Sequence, residues 1–585
     1  MIIDRDLARL ADPYDVIVVG AGITGVCVAR EAASRGLRTI VVDKGDVGHG
    51  TSSATSKYIH GGIRYLETYE FGVVRESLRE RRVLALAAPH LVSQQRFLMP
   101  AWRWSKPPTA LIGAGVGLYS LLGFDRNRHM PDAMKIPVPR WIPRQRLLRH
   151  VPWLDPVQLQ GAFAYHDTFN VHPERLLLAF LKSAVAAGAH VFTHMEAIGF
   201  LHSDRSGADG SAGYTARQIQ IDGIRVVDTM TGAEHVIHGR TVVNAGGPWM
   251  DLVLARLGRP MGVRVNRSKG VHLLTRPVGG VGADGAVNVI DTVFARARSG
   301  HHVIVSPWQG MSFIGPTDTA VDDTPDTVSV DSTDVQLVLD TVNATIAHGH
   351  HKLTPDDIEA TTVGIRPLIV DESKDSYTTS RRHELYDHAP SGVHNLWSIG
   401  GGKWTTGRAL GDETVRTLMR SPALQGVASK PFDSRRAPAY GAFGWADDPQ
   451  PYFDAITAAV RPAAIDEATL LHLARLYGTE YVEVLDLVHA DPRLAARLSH
   501  RDGRLDIAAQ AVFAVTHEGA LTLADVIDRR LVLGTQGAVV RDEIEHVAQW
   551  IAQPLGWSVE ATVAAVDGEL DRRAALAARW RPTVV

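Results

Sequence analysis

The sequence predicts an α/β fold extended by a helical C-terminal domain, and three observations carry the prediction. "YDVIVVG", "ITGVCVAREAASRG" and "LRTIVVD", within residues 14–43, read as strand, helix and strand, so the chain opens with a βαβ unit of buried parallel strands. Strand-like runs then dominate from about Ala189 to Pro316, which predicts a second, antiparallel sheet layered on the first. From residue 452 to 585 the sequence is Ala-rich and charged, and its segments carry apolar faces at helical spacing.

A chain of 585 residues exceeds one ordinary core, so two or three domains are expected. Hydrophobic content of 45% with 21% charged residues describes a globular protein rather than a disordered one. A net charge of −3 argues against nucleic acid as the main partner, which needs a basic excess. A small anion needs only a local cluster of cations. The single cysteine, Cys27, forms no intramolecular disulfide and rules out a Cys-based zinc site, in keeping with a reducing compartment. The N-terminal "MIIDRDLARLADPYD" mixes acids and bases without a long apolar run, so a cytoplasmic location is expected. The longest nearly uncharged run, Thr109 to Phe124, has 16 residues, fewer than the roughly 20 that cross a bilayer. It reads either as a buried helix or turn, or as a monotopic membrane contact.

The remaining elements follow from periodicity and punctuation. An apolar-periodic helix lies near Val73 to Ala88, and Pro-rich irregular sequence follows to about Pro156. "GAFAYHD" is a strand, and "HPERLLLAFLKSAVAAG" is a helix with proline near its start and glycine at its end. "AHVFTH", "RQIQIDGIRVVD" and "GRTVVNAGG" are strands, and the polar "SDRSGADGSAG" is a surface hairpin loop. "GVHLLTR", "HHVIVSPW" and "SFIGPTD" belong to the second sheet, with "DVQLVLDTVNATIAH" as its helix partner. A turn-rich stretch, residues 429–451, marks the boundary of the C-terminal domain. The expected division is a discontinuous nucleotide-binding domain (1–90, 157–260 and 355–428), a substrate domain (91–156 and 261–354) and a cap (429–585).

Gly20, Ala21, Gly22, Ile23, Thr24 and Gly25 turn from the first strand into the first helix, and Asp43 ends the next strand. Gly20 permits the tight turn, Gly22 the approach to a pyrophosphate, and Gly25 close helix-to-strand packing; Asp43 can accept from ribose hydroxyls. Two features favour FAD over a nicotinamide cofactor. "TVVNAGGPWMD", with Asn244, Ala245, Gly246 and Trp249, is a second strand and glycine turn able to close over the same ligand. The long loop from Lys44 to Ser56 offers the hydroxyls of Thr51, Ser52, Ser53 and Ser56. His301 and His302 have no carboxylate at metal-ligand spacing, so no metal is expected.

The blocks "GAGITGVCVAREAASRG", "TSSATSKYIHGGIRYLETYEFGVVRESLRERRVL", "NAGGPW", "GVHLL", "GIRPL", "DES" before "TTSRRHEL", and "GGKWTTGRAL" stand in this order. With them, and with "RLYGTEYVEVLDLV" and "VTHEGALTLADVIDRRLVLG" in the tail, the chain resembles the FAD-dependent, respiratory glycerol-3-phosphate dehydrogenases over almost its whole length. Three departures stand out: Asp43 where relatives often have Glu, Glu31 for a common Asp, and Gly407 where Tyr is common. The resemblance implies a Rossmann-like FAD-binding domain of the glutathione-reductase/D-amino-acid-oxidase type, an antiparallel-sheet substrate domain and a helical cap. It also implies oxidation of sn-glycerol 3-phosphate to dihydroxyacetone phosphate. Electrons would pass to a membrane quinone from a peripheral position on the inner face of the cell membrane. Lys57, His60, Gly61, Gly62, Gly402, Lys403, Trp404 and Thr405 join the cofactor contacts on the same basis. The oligomeric state is not readable, and a homodimer stays open.

A phosphate of nearly two negative charges needs fixed cations. The candidates are Arg64 with its neighbour Tyr65, Arg366, Arg381 and Lys403. Arg366 and Lys403 lie where a loop meets a strand end, the place where open α/β sheets hold ligands. Oxidation of a secondary alcohol also needs a base for the hydroxyl proton, a role suited to histidine. The strand the family places near the flavin's reactive face makes His272 the first choice, with His60 the second. Three other readings remain: an oxidase that hands electrons to oxygen, an FAD-dependent amine oxidase, and a flavin-binding protein without catalysis. The amine-oxidase reading leaves the block from Ser52 to Glu67 unexplained.

Overall fold

The computed structural model describes every residue except 1–2, 206–217, 281–290, 370–382, 444–448, 459–461 and 582–585. Strand Tyr14–Val19 pairs in parallel with Thr39–Val42 on one side and Glu234–Asn244 on the other, so that Val19 faces both Val42 and Asn244. His190–Phe192 and Leu396–Gly401 extend this parallel sheet, and His383–Asp387 closes one edge antiparallel. Val16, Ile17, Val18, Ile40, Val41 and Val42 are fully buried, as expected of strands covered on both faces. Helices Ile23–Ser34, Pro173–Ala186 and Gly407–Leu418 cover one face. The opposite face is covered by an antiparallel layer of Met195–Asp204, Ile219–Asp228 and the first half of Glu234–Asn244. The polar loop expected between the first two strands of that layer falls mostly outside the described residues.

The departures from the expected family residues have packing causes. A Cβ at Gly407 would stand 2.7 Å from Cγ1 of Ile23, so glycine there lets helix Gly407–Leu418 approach the first helix. Glu31 is buried and pairs with Arg35 at 3.2 Å.

Among the described residues the second sheet has ten strands and is mainly antiparallel, with Val265–Thr275 and Met311–Gly315 toward one end and Val92–Trp102 and Leu159–Asn170 toward the other. Helix Ser332–Asn343, opened by an Asp331/Asp334 capping box, packs on it as expected. Strands Leu159–Asn170 and Ile358–Ile369, assigned above to the nucleotide-binding segments 157–260 and 355–428, hydrogen-bond into this second sheet instead. Their alternation marks them as strands but not which sheet they join. The consequence matters, because Ile358–Ile369 lies along Val265–Thr275 and sets Arg366 opposite Ser268 and Thr362 opposite His272.

Strand Val92–Trp102 replaces irregular sequence expected after residue 88. Pro100 obscured it, yet the proline lies past Phe97 and Leu98, where the parallel neighbour Thr292–Arg296 pairs, so its missing N–H interrupts no ladder on that side. The apolar run forms helix Thr109–Leu122, in which only Val116 and Tyr119 are buried. Leu111, Leu121 and, just past its end, Phe124 are 60%, 68% and 73% exposed. The buried-helix expectation therefore holds for one face only: Val116 and Tyr119, with Ile112 and Leu122 against them, join a core cluster, while Leu111, Leu121 and Phe124 face outward. Among the described residues, no helix is long and apolar enough to cross a membrane.

The C-terminal region is helical and has its own core, built on Leu473, Tyr477, Phe513, Ile544 and Val547. It joins the body through buried ion pairs. Arg530 reaches Asp46 with a bidentate contact, one arm at 2.8 Å, and Glu518 accepts from Arg175 at 2.6 Å and Lys182 at 3.3 Å. Asp46 belongs to the loop between the second strand and Ser56, so the cap grips the loop expected to hold the cofactor.

Candidate active site

A cavity of about 450 Å³ runs from the glycine turn to the second sheet. At one end are Gly20, Gly22, Ile23, Thr24 and Asp43; at the other are His60, Arg64, Tyr65, His272, Arg366 and Lys403. Gly20 has φ +107°, and a Cβ there would stand 2.6 Å from the carbonyl oxygen of Ala245, so only glycine serves the turn. A Cβ on Gly25 would meet the Gly20 carbonyl at 1.8 Å, so the helix packs directly on the turn.

Asp43 lines this end while accepting from the amides of Ala21 at 2.6 Å and Gly45 at 2.9 Å. Burial alone would raise its pKa, but His49 at 3.2 Å and the two amides outweigh burial and hold the carboxyl below its ordinary value. The long loop closes over the middle. Thr51 donates to the carbonyl of Ile365 at 2.5 Å, and Ser52 accepts from the amide of Ile23 at 2.9 Å, capping the first helix. Lys44 lies 4.5 Å over the Trp249 ring, and the Trp249 indole donates to Asp326 at 3.0 Å.

At the far end two histidines face the cations. His272 is 3% exposed, stacks on Phe313 at 4.6 Å, and its Nε2 lies 2.8 Å from Oγ of Ser56. Burial, reinforced by the charges of Arg366 and Lys57, pushes its pKa down to about 3. His60 is more open to the cavity, and burial pushes its pKa down to about 4, with Asp167 opposing and Lys403 and Arg64 adding to the shift. Both rings are neutral at working pH. Arg366 donates to the Thr317 carbonyl at 2.9 Å and to Ser268 at 3.2 Å, beside Asp318 at 3.4 Å. Lys403 donates to Ser77 at 3.0 Å and lies 3.9 Å over the Tyr65 ring. The arrangement offers a long cradle ending in fixed cations and neutral imidazoles.

A family profile described as "FAD dependent oxidoreductase" matches residues 15–417, and one described as "C-terminal domain of alpha-glycerophosphate oxidase" matches residues 433–562. A glycerol-3-phosphate dehydrogenase of Synechocystis is 32% identical over 94% of this chain and 94% of its own length. The glycerol-3-phosphate dehydrogenase 2 of Mycobacterium tuberculosis is 32% identical over 96% of this chain and 87% of its own. The chain belongs to the FAD-dependent glycerol-3-phosphate dehydrogenase family. A solved glycerol-3-phosphate dehydrogenase of Bacillus halodurans, in complex with FAD, shares the fold with a TM-score of 0.73 at 23% identity, covering 99% of this chain and 97% of that one. The elongated cradle, its glycine turn and the acid at the second strand's end fit the family's FAD.

Against that family expectation, most named residues line the cavity: Gly20, Gly22, Ile23, Thr24, Asp43, Lys44, Thr51, Ser52, Ser56, His60, Gly62, Arg64, Tyr65, Ala245, Gly246, Trp249, His272, Arg366, Gly402, Lys403, Trp404 and Thr405. Others work behind it. Lys57 is buried and paired with Glu174 at 3.0 Å, so it holds the loop to helix Pro173–Ala186 rather than touching the cavity. Ser53 donates to the Gly50 carbonyl at 3.2 Å, and Asn244 bonds the Met250 carbonyl at 2.9 Å and the Gly246 amide at 3.1 Å, shaping their own turns. Ala21 and Gly25 form the turn without lining the cavity. A Cβ on Gly61 would strike Tyr119 and Leu78, and one on Gly62 would strike Tyr65, so this pair makes room for protein rather than only for ligand. Arg381 lies outside the described residues.

Several lining residues were not singled out from the sequence. Thr317 and Asp318, which line the cavity, orient Arg366 together with Ser268, which does not line it. Gly270 gives it space, since a Cβ there would stand 2.3 Å from the guanidinium. The signal available was register: position 270 lies near the opposite partner of position 366 once the two strands are paired. His302, read as a strand-end residue without metal, also lines the cavity.

Proposed function

We propose that this protein oxidises sn-glycerol 3-phosphate to dihydroxyacetone phosphate and delivers the electrons to a membrane quinone. The observation that carries the reading is that one cavity is lined by Arg366 beside His272 and by Lys403 and Arg64 beside His60, both histidines neutral. The names of the relatives support the substrate. Arg366, oriented by Thr317, Ser268 and Asp318, and Lys403, oriented by Ser77, bind the phosphate and turn the alcohol carbon toward the flavin. FAD, when bound, would supply the redox chemistry as acceptor of the hydride from that carbon.

The chain's own task is the hydroxyl proton. His272 Nε2 takes it, either directly or through the Ser56 hydroxyl at 2.8 Å, and the developing carbonyl remains beside the cations. In the free enzyme burial, reinforced by the charges of Arg366 and Lys57, keeps this imidazole weakly basic. A phosphate dianion on Arg366 offsets that field, so basicity rises when substrate binds. His60 is a second reading for the same proton, favoured by its greater opening to the cavity.

The quinone acceptor draws support from the outward apolar surface of residues 109–124, with Lys106 and Arg128 at its flanks, which suits a peripheral stance on an anionic bilayer. The match of the cap to a glycerophosphate-oxidase domain keeps oxygen as the rival acceptor. Turnover with glycerol 3-phosphate in air, followed with a soluble quinone and a peroxide assay together, tests this. Quinone reduction far faster than peroxide release is expected; stoichiometric peroxide in the presence of quinone contradicts it.

A further inference from the structure

We propose that the cap carries a binding site for a transition-metal dication of the zinc class, formed by His500, Asp542 and His546. One ligand atom from each of the three lies within 4.8 Å of the others. Asp542 and His546 stand four residues apart on helix Arg541–Ile551 and so share one face of it. His500 comes from the loop opposite, and its ring meets that of His546 at 5.4 Å and 83°.

The donors are not committed to one another. His546 Nε2 stands 3.6 Å from Oδ1 of Asp542, beyond hydrogen-bond range, and its Nδ1 is buried with no hydrogen-bond partner. A tetrahedral ion bound at about 2.1 Å needs ligand atoms roughly 3.4 Å apart, which exposed rotamers of His500 and Asp542 reach by small rotations.

The loop backbone is already fixed for this. Glu543, beside Asp542 on the helix, accepts from Ser499 at 2.5 Å, from Arg501 at 3.1 Å and from Arg504 at 2.8 Å. Those bonds hold residues 499–504 against the helix and take up the two arginine charges that would otherwise repel a cation. Two imidazoles and one carboxylate select zinc, cobalt or nickel over magnesium and calcium, which prefer oxygen. None of the described residues lining the cofactor cavity comes from the cap. The ion would therefore staple the loop to the helix without entering the reaction.

The test is calorimetric titration of zinc chloride into chelator-treated, FAD-loaded enzyme, repeated with His500→Ala, His546→Ala and Asp542→Asn. One equivalent bound with micromolar affinity is expected, weakened by more than about tenfold in each variant, since even outer partners of metal ligands are worth about that much. Cobalt chloride should give the intense visible bands of a tetrahedral site in the unsubstituted protein and lose them in His546→Ala. Turnover with glycerol 3-phosphate should be unchanged in His500→Ala. Equal zinc affinity in all three variants, or no saturable binding in the parent, overturns the proposal, and neither result bears on the oxidation of glycerol 3-phosphate.

Discussion

At the residue scale the reading turns on which imidazole takes the proton. His272→Gln is expected to slow single-turnover flavin reduction by about 10²–10⁴-fold with little change in substrate affinity. An unchanged rate there, with that loss in His60→Gln, moves the role to His60. Both rings have pKa values lowered by burial, to about 3 and about 4, so the proton-accepting form survives as pH falls. Once the substrate phosphate's own ionisation is divided out, kcat/KM should hold through the ordinary histidine range and fall only below about pH 5. An acid limb near 6.5 contradicts this.

Single residues were legible where chemistry and local pattern agreed. Lys403 follows the end of strand Leu396–Gly401 as read from the sequence, whereas Arg366, read the same way, lies inside strand Ile358–Ile369; both line the cavity. Lys57 was named from the resemblance alone, and only the fold brings Glu174 to it. Gly270 was illegible alone, since its role is to leave space for a side chain 96 positions away.

At the element scale, the loop over the cofactor is held from outside by the cap. Arg530 is fully buried against Asp46, which Arg529 also contacts, so loss of Arg530 leaves that buried carboxylate with one cationic partner in place of two. Arg530→Leu should lower stability and speed FAD release, read by thermal unfolding and by recovery of flavin fluorescence. Unaltered FAD retention would show that the loop stands without the cap.

The same interface fixes an acid sensitivity. Burial alone would raise the Glu518 pKa, but Arg175 and Lys182 lower it from 4.5 to about 2. A depressed carboxylate stabilises fully above its unfolded pKa, and that contribution fades as pH falls from about 4.5 to 2. Elements with a strong period, such as Ile23–Ser34 and Pro173–Ala186, were legible from sequence. Val92–Trp102 was not, because the effect of Pro100 depends on how far its neighbour strand reaches.

At the scale of the whole molecule, the α/β class, the second sheet and the helical cap followed from the order of periodic segments. The allotment of strands between sheets did not, because Leu159–Asn170 and Ile358–Ile369 join the second sheet by long-range pairing that no local pattern encodes. The exposed apolar helix belongs to this scale as well. Leu121→Lys with Phe124→Glu should weaken co-sedimentation with anionic vesicles several-fold while leaving dye-linked turnover intact. Equal sedimentation of variant and parent would move the membrane contact elsewhere.

The central claim is that the cation wall beside the flavin reads a phosphate on the alcohol. Anaerobic bleaching of the bound flavin by glycerol 3-phosphate and by glycerol, in the parent and in Arg366→Ala, tests it most directly. The expected result is rapid bleaching of the parent by glycerol 3-phosphate alone, and near-complete loss of it in Arg366→Ala with FAD still bound. Bleaching by glycerol as fast as by its phosphate, or full activity in Arg366→Ala, would contradict the account.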